Sequence, residues 1–268
     1  MRRFSVPFIA SLLTALAAIP SLAQDGEKVE EVQTRISILA IGDAPQPRFE
    51  FRDDRRHLLE TPAADSPPGE VLVRQKKGKE ESFNAVPLGL NSPTGYITYR
   101  GERNLVLFRE DAAKKRYEFA RIALPEMRDD LTLLLLRNRT SKSWEKEPRV
   151  YYFDNGLGAF PNDSVRVINL SAVTVRARIN EGTTFDLAAG GHKIIGIPRK
   201  DQGILSYRVA AVAEEKIFPL VDTATTTMPD TRFNLIVYAT DSGNPRTPVD
   251  IASYFERPPQ KDVEGEAR

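Results

Sequence analysis

Residues 173–179 read Val-Thr-Val-Arg-Ala-Arg-Ile and alternate strictly between apolar and polar side chains. Side chains of a β-strand point alternately to opposite faces of a sheet, so this pattern predicts a strand with one buried face and one solvated face. Residues 131–136 read Leu-Thr-Leu-Leu-Leu-Leu and are apolar at both parities. That segment predicts a central strand that is covered on both faces.

Strand-like segments recur along the rest of the chain and are separated by Gly and Pro. They occur at 36–41, 70–73, 83–88, 96–99, 105–108, 117–122, 165–170, 185–187, 193–197, 204–212 and 233–239. Residues 53–60 are predicted to form two turns of helix, and the proline-rich residues 61–69 a loop. Short strands at regular spacing are typical of sandwiches and barrels. The predicted fold is all-β, with two tandem antiparallel β-sandwich domains of the immunoglobulin-like type.

The domain boundaries follow from changes in composition. The predicted parts are a signal peptide (1–23), a disordered lead-in (24–31), one β-sandwich domain (32–145), a second one (150–256) and a disordered tail (257–268). A single long β-domain is the alternative, since all-β domains reach that size.

The two halves align with each other, which suggests an internal duplication. Segment 36–41 falls on 165–170, residues 86–88 fall on 185–187, and 131–136 fall on 233–238. The difference in residue number between aligned segments drops once along the chain and then stays nearly constant. This predicts an insertion in the first half, around residues 53–79.

The N-terminus has the pattern of an export signal. Arg2 and Arg3 precede an apolar stretch from Phe8 to Ile19, and small residues end it, so cleavage is predicted after Ala23. An uncleaved anchor is the alternative, but the stretch is shorter than the roughly 20 residues that span a bilayer. No later segment is long enough to be an integral membrane span. The predicted location is therefore the periplasm or the extracellular space.

Composition argues against several function classes. The chain has 38 Lys+Arg and 37 Asp+Glu, two His and no Cys. The near-zero net charge gives no electrostatic reason to expect a nucleic-acid partner. Without Cys there are no disulfides, thiolate nucleophiles or Cys-ligated metals. His57 and His192 lack partners at metal-site spacing, so no metal site and no cofactor is predicted.

Catalytic patterns are not found either. The paired carboxylates at 53/54, 80/81, 129/130 and 214/215 are sequence neighbours, whereas glycosidic cleavage needs two carboxyl groups that face each other across a cleft. No nucleophile elbow, zinc-protease helix or phosphate-binding loop is present. The sequence therefore predicts a protein that is not an enzyme.

Two groups of residues are candidates for binding. Aromatic side chains can stack on sugars or anchor a protein partner, and they concentrate at Trp144, Tyr151, Tyr152, Phe153 and Phe160. The alternative is that Tyr151 and Phe153 pack into the second core while Tyr152 fills the junction between the domains.

The second group is Arg176 and Arg178, which lie on the polar face of their strand with Arg166 nearby and could bind an anionic polymer. The alternative is that these arginines only make the sheet face soluble and discourage edge pairing.

Residues 164–171, 185–187, 190–191 and 205–209 together resemble uncharacterised exported bacterial β-sandwich proteins. That resemblance implies an envelope or secreted location and carries no catalytic residues across. The favoured function is a non-enzymatic envelope protein that binds a protein or a glycan, with a two-domain assembly chaperone as one version. The alternative is a polysaccharide or cell-wall hydrolase with an acidic pair that folding assembles.

Overall fold

The computed structural model describes residues 31–77, 80–126, 128–145, 147–198, 203–213, 216–241 and 248–258. Within these ranges every regular element is a β-strand. The predicted signal peptide lies outside the described residues, as do residues 24–30 of the lead-in and residues 259–268 of the tail.

The first half contains ten strands. They are β1 (Glu31–Ile41), β2 (Phe49–Arg52), β3 (Arg55–Leu58), β4 (Glu70–Lys77), β5 (Glu80–Pro87), β6 (Ile97–Glu102), β7 (Asn104–Glu110), β8 (Arg116–Ala123), β9 (Asp130–Leu136) and β10 (Arg149–Asp154). One sheet has the order β6-β1-β9-β10 and is called inner sheet 1; the other has the order β5-β4-β7-β8 and is called outer sheet 1. Strands β2 and β3 form a separate hairpin.

The second half contains eight strands. They are β11 (Ser164–Leu170), β12 (Thr174–Ile179), β13 (Phe185–Leu187), β14 (His192–Gly196), β15 (Ile204–Ala213), β16 (Lys216–Thr226), β17 (Arg232–Ala239) and β18 (Val249–Glu256). Inner sheet 2 has the order β14-β11-β17-β18, and outer sheet 2 has the order β13-β12-β15-β16.

The predicted all-β fold with two sandwiches is confirmed. Each inner sheet also contains one parallel pair at its centre, β1–β9 and β11–β17, while the other strand pairs of the described ranges run antiparallel. A parallel pair requires a long crossover connection, which the outer-sheet strands supply in each half. The exact domain boundaries stay a prediction.

The two halves correspond strand for strand, because the order within the inner and the outer sheets is the same in both. The register agrees as well: Ile36 pairs with Leu131 in the first half, and Val165 pairs with Phe233 in the second. These are the positions that the sequence alignment superimposes, and the structure therefore supports the predicted duplication.

The extra segment of the first half is residues 42–69, which separate β1 from β4, whereas only residues 171–173 separate β11 from β12. The predicted insertion at 53–79 was therefore placed too late, because residues 70–77 form β4. The predicted helix at 53–60 is wrong. Asp53 and Asp54 form the turn of a hairpin, and Arg55–Leu58 is its second strand. Two turns of helix have little stability in water without a core to pack on.

Three apolar clusters hold these layers together. One lies between the sheets of the first sandwich and a second between the sheets of the second sandwich. The third lies between the two inner sheets, which pack back to back. Strand β1 contributes side chains to two of these clusters. Ile36 and Ile38 face the first core, and Leu39 and Ile41 face the third cluster.

The third cluster uses equivalent positions of both halves. Leu39 corresponds to Ile168 and Leu134 corresponds to Ile236 in the two registers, and all four side chains are buried in it. Two surfaces that meet through the same positions form an isologous contact, as in a symmetric dimer. Together with the two sandwich cores, this contact buries both faces of the central strands β9 and β11.

We expect Leu134→Ala and Ile236→Ala to destabilise the protein by similar amounts. Both side chains are fully buried on opposite sides of the contact, and such a truncation costs about 2–4 kcal/mol. Urea unfolding checks this, with Ile204→Ala as the control, since Ile204 is 67% exposed. A loss below about 1 kcal/mol in either core variant would contradict a packed contact between the sandwiches.

Candidate binding surface

Residues 42–69 form the part of the first half that the shared architecture does not require. The second half builds the same two sheets without a counterpart to this segment. Insertions in one copy of a repeated unit usually lie on a single face and often carry the binding function. This segment is therefore the first place to look for a site.

The centre of the insertion is the hairpin of β2 and β3. Its register pairs Phe49 with Leu58 and Phe51 with Arg56. Asp53 and Asp54 connect the strands with φ of 49° and 58°. Two successive left-handed residues make a type I′ turn, whose twist matches that of the flanking strands. The hairpin is a two-stranded sheet that pairs with no other described strand.

One face of the hairpin is apolar and open to solvent. Phe49, Phe51, Arg56 and Leu58 share this face because of the register. Phe51 is 75% exposed and Leu58 is 67% exposed, and the Arg56 guanidinium lies over the Phe49 ring at 3.4 Å from its centroid. An isolated hairpin of this kind is at best marginally stable in water, so exposed apolar side chains on it call for an explanation.

The opposite face of the hairpin is charged. Glu50 lies opposite His57, and Arg52 lies opposite Arg55. Glu50 forms an ion pair with Arg52 on its own strand. The hairpin therefore presents an apolar surface on one side and a cationic surface on the other.

A cleft of about 330 Å³ lies at the root of the hairpin and involves both halves of the chain. Asp65 accepts hydrogen bonds from Arg48 at 3.0 Å and from Arg137 at 2.7 Å. Arg137 is also 3.5 Å from Asp241, whose backbone N–H donates to Asp43 at 2.8 Å. These contacts attach the base of the insertion to the ends of β9 and β17.

The cleft adjoins the contact between the sandwiches. The Tyr238 hydroxyl donates to the carbonyl of Gly42 at 3.2 Å. Burial, followed by the negative charges of Asp250 and Asp43, raises the pKa of Tyr238 above its ordinary value. The hydroxyl therefore stays protonated and available as a donor, and it holds the start of the insertion against the second half.

The predicted aromatic residues do not form one surface. Trp144 is buried in the first core, and Phe160 is buried in contact with the guanidinium groups of Arg166 and Arg232. The remaining three lie on β10: Tyr151, Tyr152 and Phe153.

Tyr151 and Phe153 point to one face of β10 and Tyr152 to the other. Phe153 packs against the apolar cluster between the inner sheets and meets His192 edge-on, so it does not enter the second core. Tyr151 and Tyr152 are 36% and 47% exposed, and Tyr152 does not fill the junction. Only the two tyrosines remain accessible on the edge strand.

The predicted basic pair lies on outer sheet 2, as its alternation indicated. Arg176 donates to both carboxylate oxygens of Asp186, at 2.7 and 2.8 Å. These hydrogen bonds raise the pKa of Arg176 and lower the pKa of Asp186. Arg178 donates to the carbonyl of Asn180. Arg166 belongs to inner sheet 2 and is buried, so the three arginines do not form one patch.

A buried polar cluster between the inner sheets was missed by the sequence analysis. Arg166 donates to Asn234 at 2.9 Å and to Asn155 at 2.6 Å. Arg232 donates to the carbonyls of Asn155 and Phe160, at 2.7 and 2.9 Å. One signal was available: Arg166 interrupts an apolar strand between Val165 and Val167, and Arg232 directly precedes the apolar segment 233–239.

One carboxylate faces both of these cations. Glu256 lies 3.8 Å from Arg166 and 3.5 Å from Arg232 at the nearest atoms. Burial lowers the pKa of the Arg166 guanidinium, and burial together with the charge of Glu256 raises the pKa values of Tyr96 and Tyr254. The cluster joins β11, β17 and β18 to the segment after β10 and is a structural feature of the contact.

The described ranges contain no group of three or more His, Asp or Glu that could hold a metal ion. They also contain no helix of the length and apolar character needed to cross a membrane.

Comparison with known proteins gives little beyond this geometry. No family model and no curated protein matches the chain. Among solved structures, the paired C2 domains of Extended-Synaptotagmin 2 match with 9% identity and a TM-score of 0.21, covering 94% of this chain and 98% of that one. The C-terminally truncated tip fimbrial protein from Porphyromonas gingivalis matches with 7% identity and a TM-score of 0.21, covering 84% and 99%. At these TM-scores the matches carry no functional argument.

Removing the charge of Glu256 should destabilise the protein while leaving its shape intact. Glu256→Gln leaves two buried guanidinium groups without a carboxylate, and breaking a buried ion pair costs about 3–5 kcal/mol. Chemical unfolding measures this loss. Glu126→Gln is the control, because Glu126 pairs with Arg103 while 70% exposed, and exposed pairs contribute at most about 1 kcal/mol. Equal losses in the two variants would show that Glu256 does not compensate the buried charges.

Residues that are better suited to a type I′ turn should stabilise the hairpin. Asp53→Asn combined with Asp54→Gly installs the residues that a type I′ turn prefers, and we expect the hairpin to become more stable by about 1 kcal/mol. Amide hydrogen exchange of residues 49–58 should slow correspondingly. Lys114→Gly, at another residue with a left-handed φ, should leave that exchange unchanged. Faster exchange in the double variant would contradict the turn type.

Proposed function

We propose that this chain is an exported, non-enzymatic cell-envelope protein that binds a protein partner through the hairpin of residues 49–58. The observation that carries this proposal is the solvent-exposed apolar face of an element that the shared architecture does not need. Phe51 and Leu58 are among the most exposed large apolar side chains of the described residues. Large aromatic and aliphatic side chains of this kind act as anchors when they enter a partner's pocket.

The chemistry of the face favours a protein over a glycan as the partner. Phe51 and Leu58 offer no hydrogen-bonding group, and the polar group on this face, the Arg56 guanidinium, is stacked on Phe49. A glycan carries many hydroxyl groups that need hydrogen-bond partners when they are desolvated. An apolar pocket of another protein has no such groups, so it can bury this face without new hydrogen bonds.

The arrangement of the acidic pairs favours binding over hydrolysis. Asp53 and Asp54 form the tip of the hairpin, and Asp130 forms an ion pair with Arg35 at 2.7 Å. Glu80 and Glu81 are exposed on the edge strand β5. Residues 214 and 215 lie outside the described ranges. These carboxylates are engaged or solvated, whereas glycosidic cleavage needs two that share a cleft. The carboxylates that folding brings together at the cleft, Asp43, Asp65 and Asp241, are each engaged by an arginine or a backbone N–H.

The proposed location depends on the N-terminal pattern of two arginines, an apolar stretch and small residues. A chain without Cys is also suited to an oxidising compartment, because it forms no unwanted disulfides there. In the envelope its stability comes from the three apolar clusters.

Partner binding should depend on the apolar face of the hairpin. The variant Phe51→Ser with Leu58→Ser should lose at least about tenfold in affinity, since each anchor contributes on the order of 1–2 kcal/mol. The measurement is the dissociation constant for a partner first isolated from the native host's envelope and then purified.

The matched control is Ile204→Ser with Ile217→Ser, two side chains of outer sheet 2 that are 67% and 53% exposed. That variant removes a similar apolar area elsewhere and should bind as the wild type does. Loss of affinity in the control but not in the hairpin variant would overturn the proposed function.

A further inference from the structure

The charged residues of the hairpin restrict the chemistry of the partner further than its apolar face does. Arg52 and Arg55 lie directly opposite each other on the two strands, and like charges in this position destabilise a hairpin. Arg52 is compensated by Glu50 on its own strand. Arg55 forms no ion pair with any residue that the structure describes.

The apolar face carries a second cation of the same kind. The Arg56 guanidinium stacks on Phe49 and, within the described part of the chain, has no carboxylate partner. Arg55 and Arg56 are neighbours on β3 and point to opposite faces, so a positive charge stands on each side of the strand. Both residues are exposed.

These charges argue against a membrane as the occupant. Residues 48–60 contain four arginines and four acidic residues, so the segment has no net positive charge to attract anionic lipid. Asp53 and Asp54 occupy the tip, the part that would enter the bilayer first. Burying two carboxylates in a bilayer is costly.

The same charges argue against a second copy of this chain. The face that carries Phe51 and Leu58 has no carboxylate of its own, so an isologous contact through that face would leave Arg56 of each copy without a partner of opposite charge.

Building on the proposed function, we infer that the partner is a protein with an apolar groove bordered by carboxylate side chains. Phe51 and Leu58 enter the floor of the groove. A partner carboxylate meets Arg55 and relieves its repulsion with Arg52, and a second carboxylate meets Arg56 on the other side of the strand. Charge complementarity of this type selects the partner and its orientation.

The experiment begins with Phe51→p-benzoylphenylalanine in the full chain, expressed in the native host and irradiated. The cross-linked protein is identified and purified, and its dissociation constant for the unmodified chain is measured. We expect Arg55→Glu to weaken binding about tenfold or more and Arg55→Lys to weaken it much less. Raising the NaCl concentration from about 50 mM to about 500 mM should also weaken binding, because salt screens exposed charges.

Arg178→Glu is the matched control, an exposed arginine of outer sheet 2 that bonds to a backbone carbonyl. It should leave the dissociation constant unchanged. Replacing the partner's carboxylate by Lys should weaken wild-type binding and restore binding of the Arg55→Glu variant.

The outcomes that contradict the two proposals are distinguishable. A partner that cross-links at position 51 but is insensitive to Arg55→Glu and to salt would overturn the acidic groove and leave the proposed function standing. A partner that cross-links from position 152 but not from 51 would overturn both. Co-sedimentation with vesicles of phosphatidylethanolamine and phosphatidylglycerol, lost in Phe51→Ser, would replace the protein partner by a membrane.

Discussion

The back-to-back packing of the two inner sheets is the constraint on which the rest of the molecule depends. It covers the second face of β1, β9, β11 and β17, so the central residues of these strands are buried on both faces. It also fixes where the outer sheets can lie, because each outer sheet has only the remaining face of an inner sheet to cover. Without this contact, Leu39, Leu134, Ile168 and Ile236 would form exposed apolar patches on two separate sandwiches.

The contact repeats the same positions on both sides, but its polar end is asymmetric. Ser37 and Arg166 occupy equivalent positions of β1 and β11, and Asp130 corresponds to Arg232. The first half neutralises Asp130 with its own Arg35, whereas the second half places two arginines against Glu256. A symmetric pair of surfaces has thus acquired a polar cluster that is specific to one arrangement of the two halves.

Much of this fold could be predicted from the sequence, for a physical reason. Strand periodicity is local, so the alternation at 173–179 and the apolar run at 131–136 identify strands and their burial directly. The alignment of the halves matched the strands that occupy equivalent places in the two sheets, but it did not predict that β1–β9 and β11–β17 pair in parallel. The hairpin at 49–58 could not be recognised in this way, because its apolar side chains are not buried and its turn uses Asp-Asp, not the Asn-Gly that signals a type I′ turn.

The site residues were harder to predict than the fold, since composition does not show which aromatic side chains a fold will cover. The chemistry of Trp144 and Phe160 predicts binding, but both are core residues. Phe51 lies beside, and Leu58 within, the segment 53–60 for which the sequence predicts a helix. The more informative signal was comparative: one half contains residues 42–69 and the other half does not. In a duplicated fold, the segment that breaks the repeat is free of the packing constraints that fix everything else. Its exposed apolar and cationic side chains are therefore not explained by stability, and the proposed function is what gives them a role.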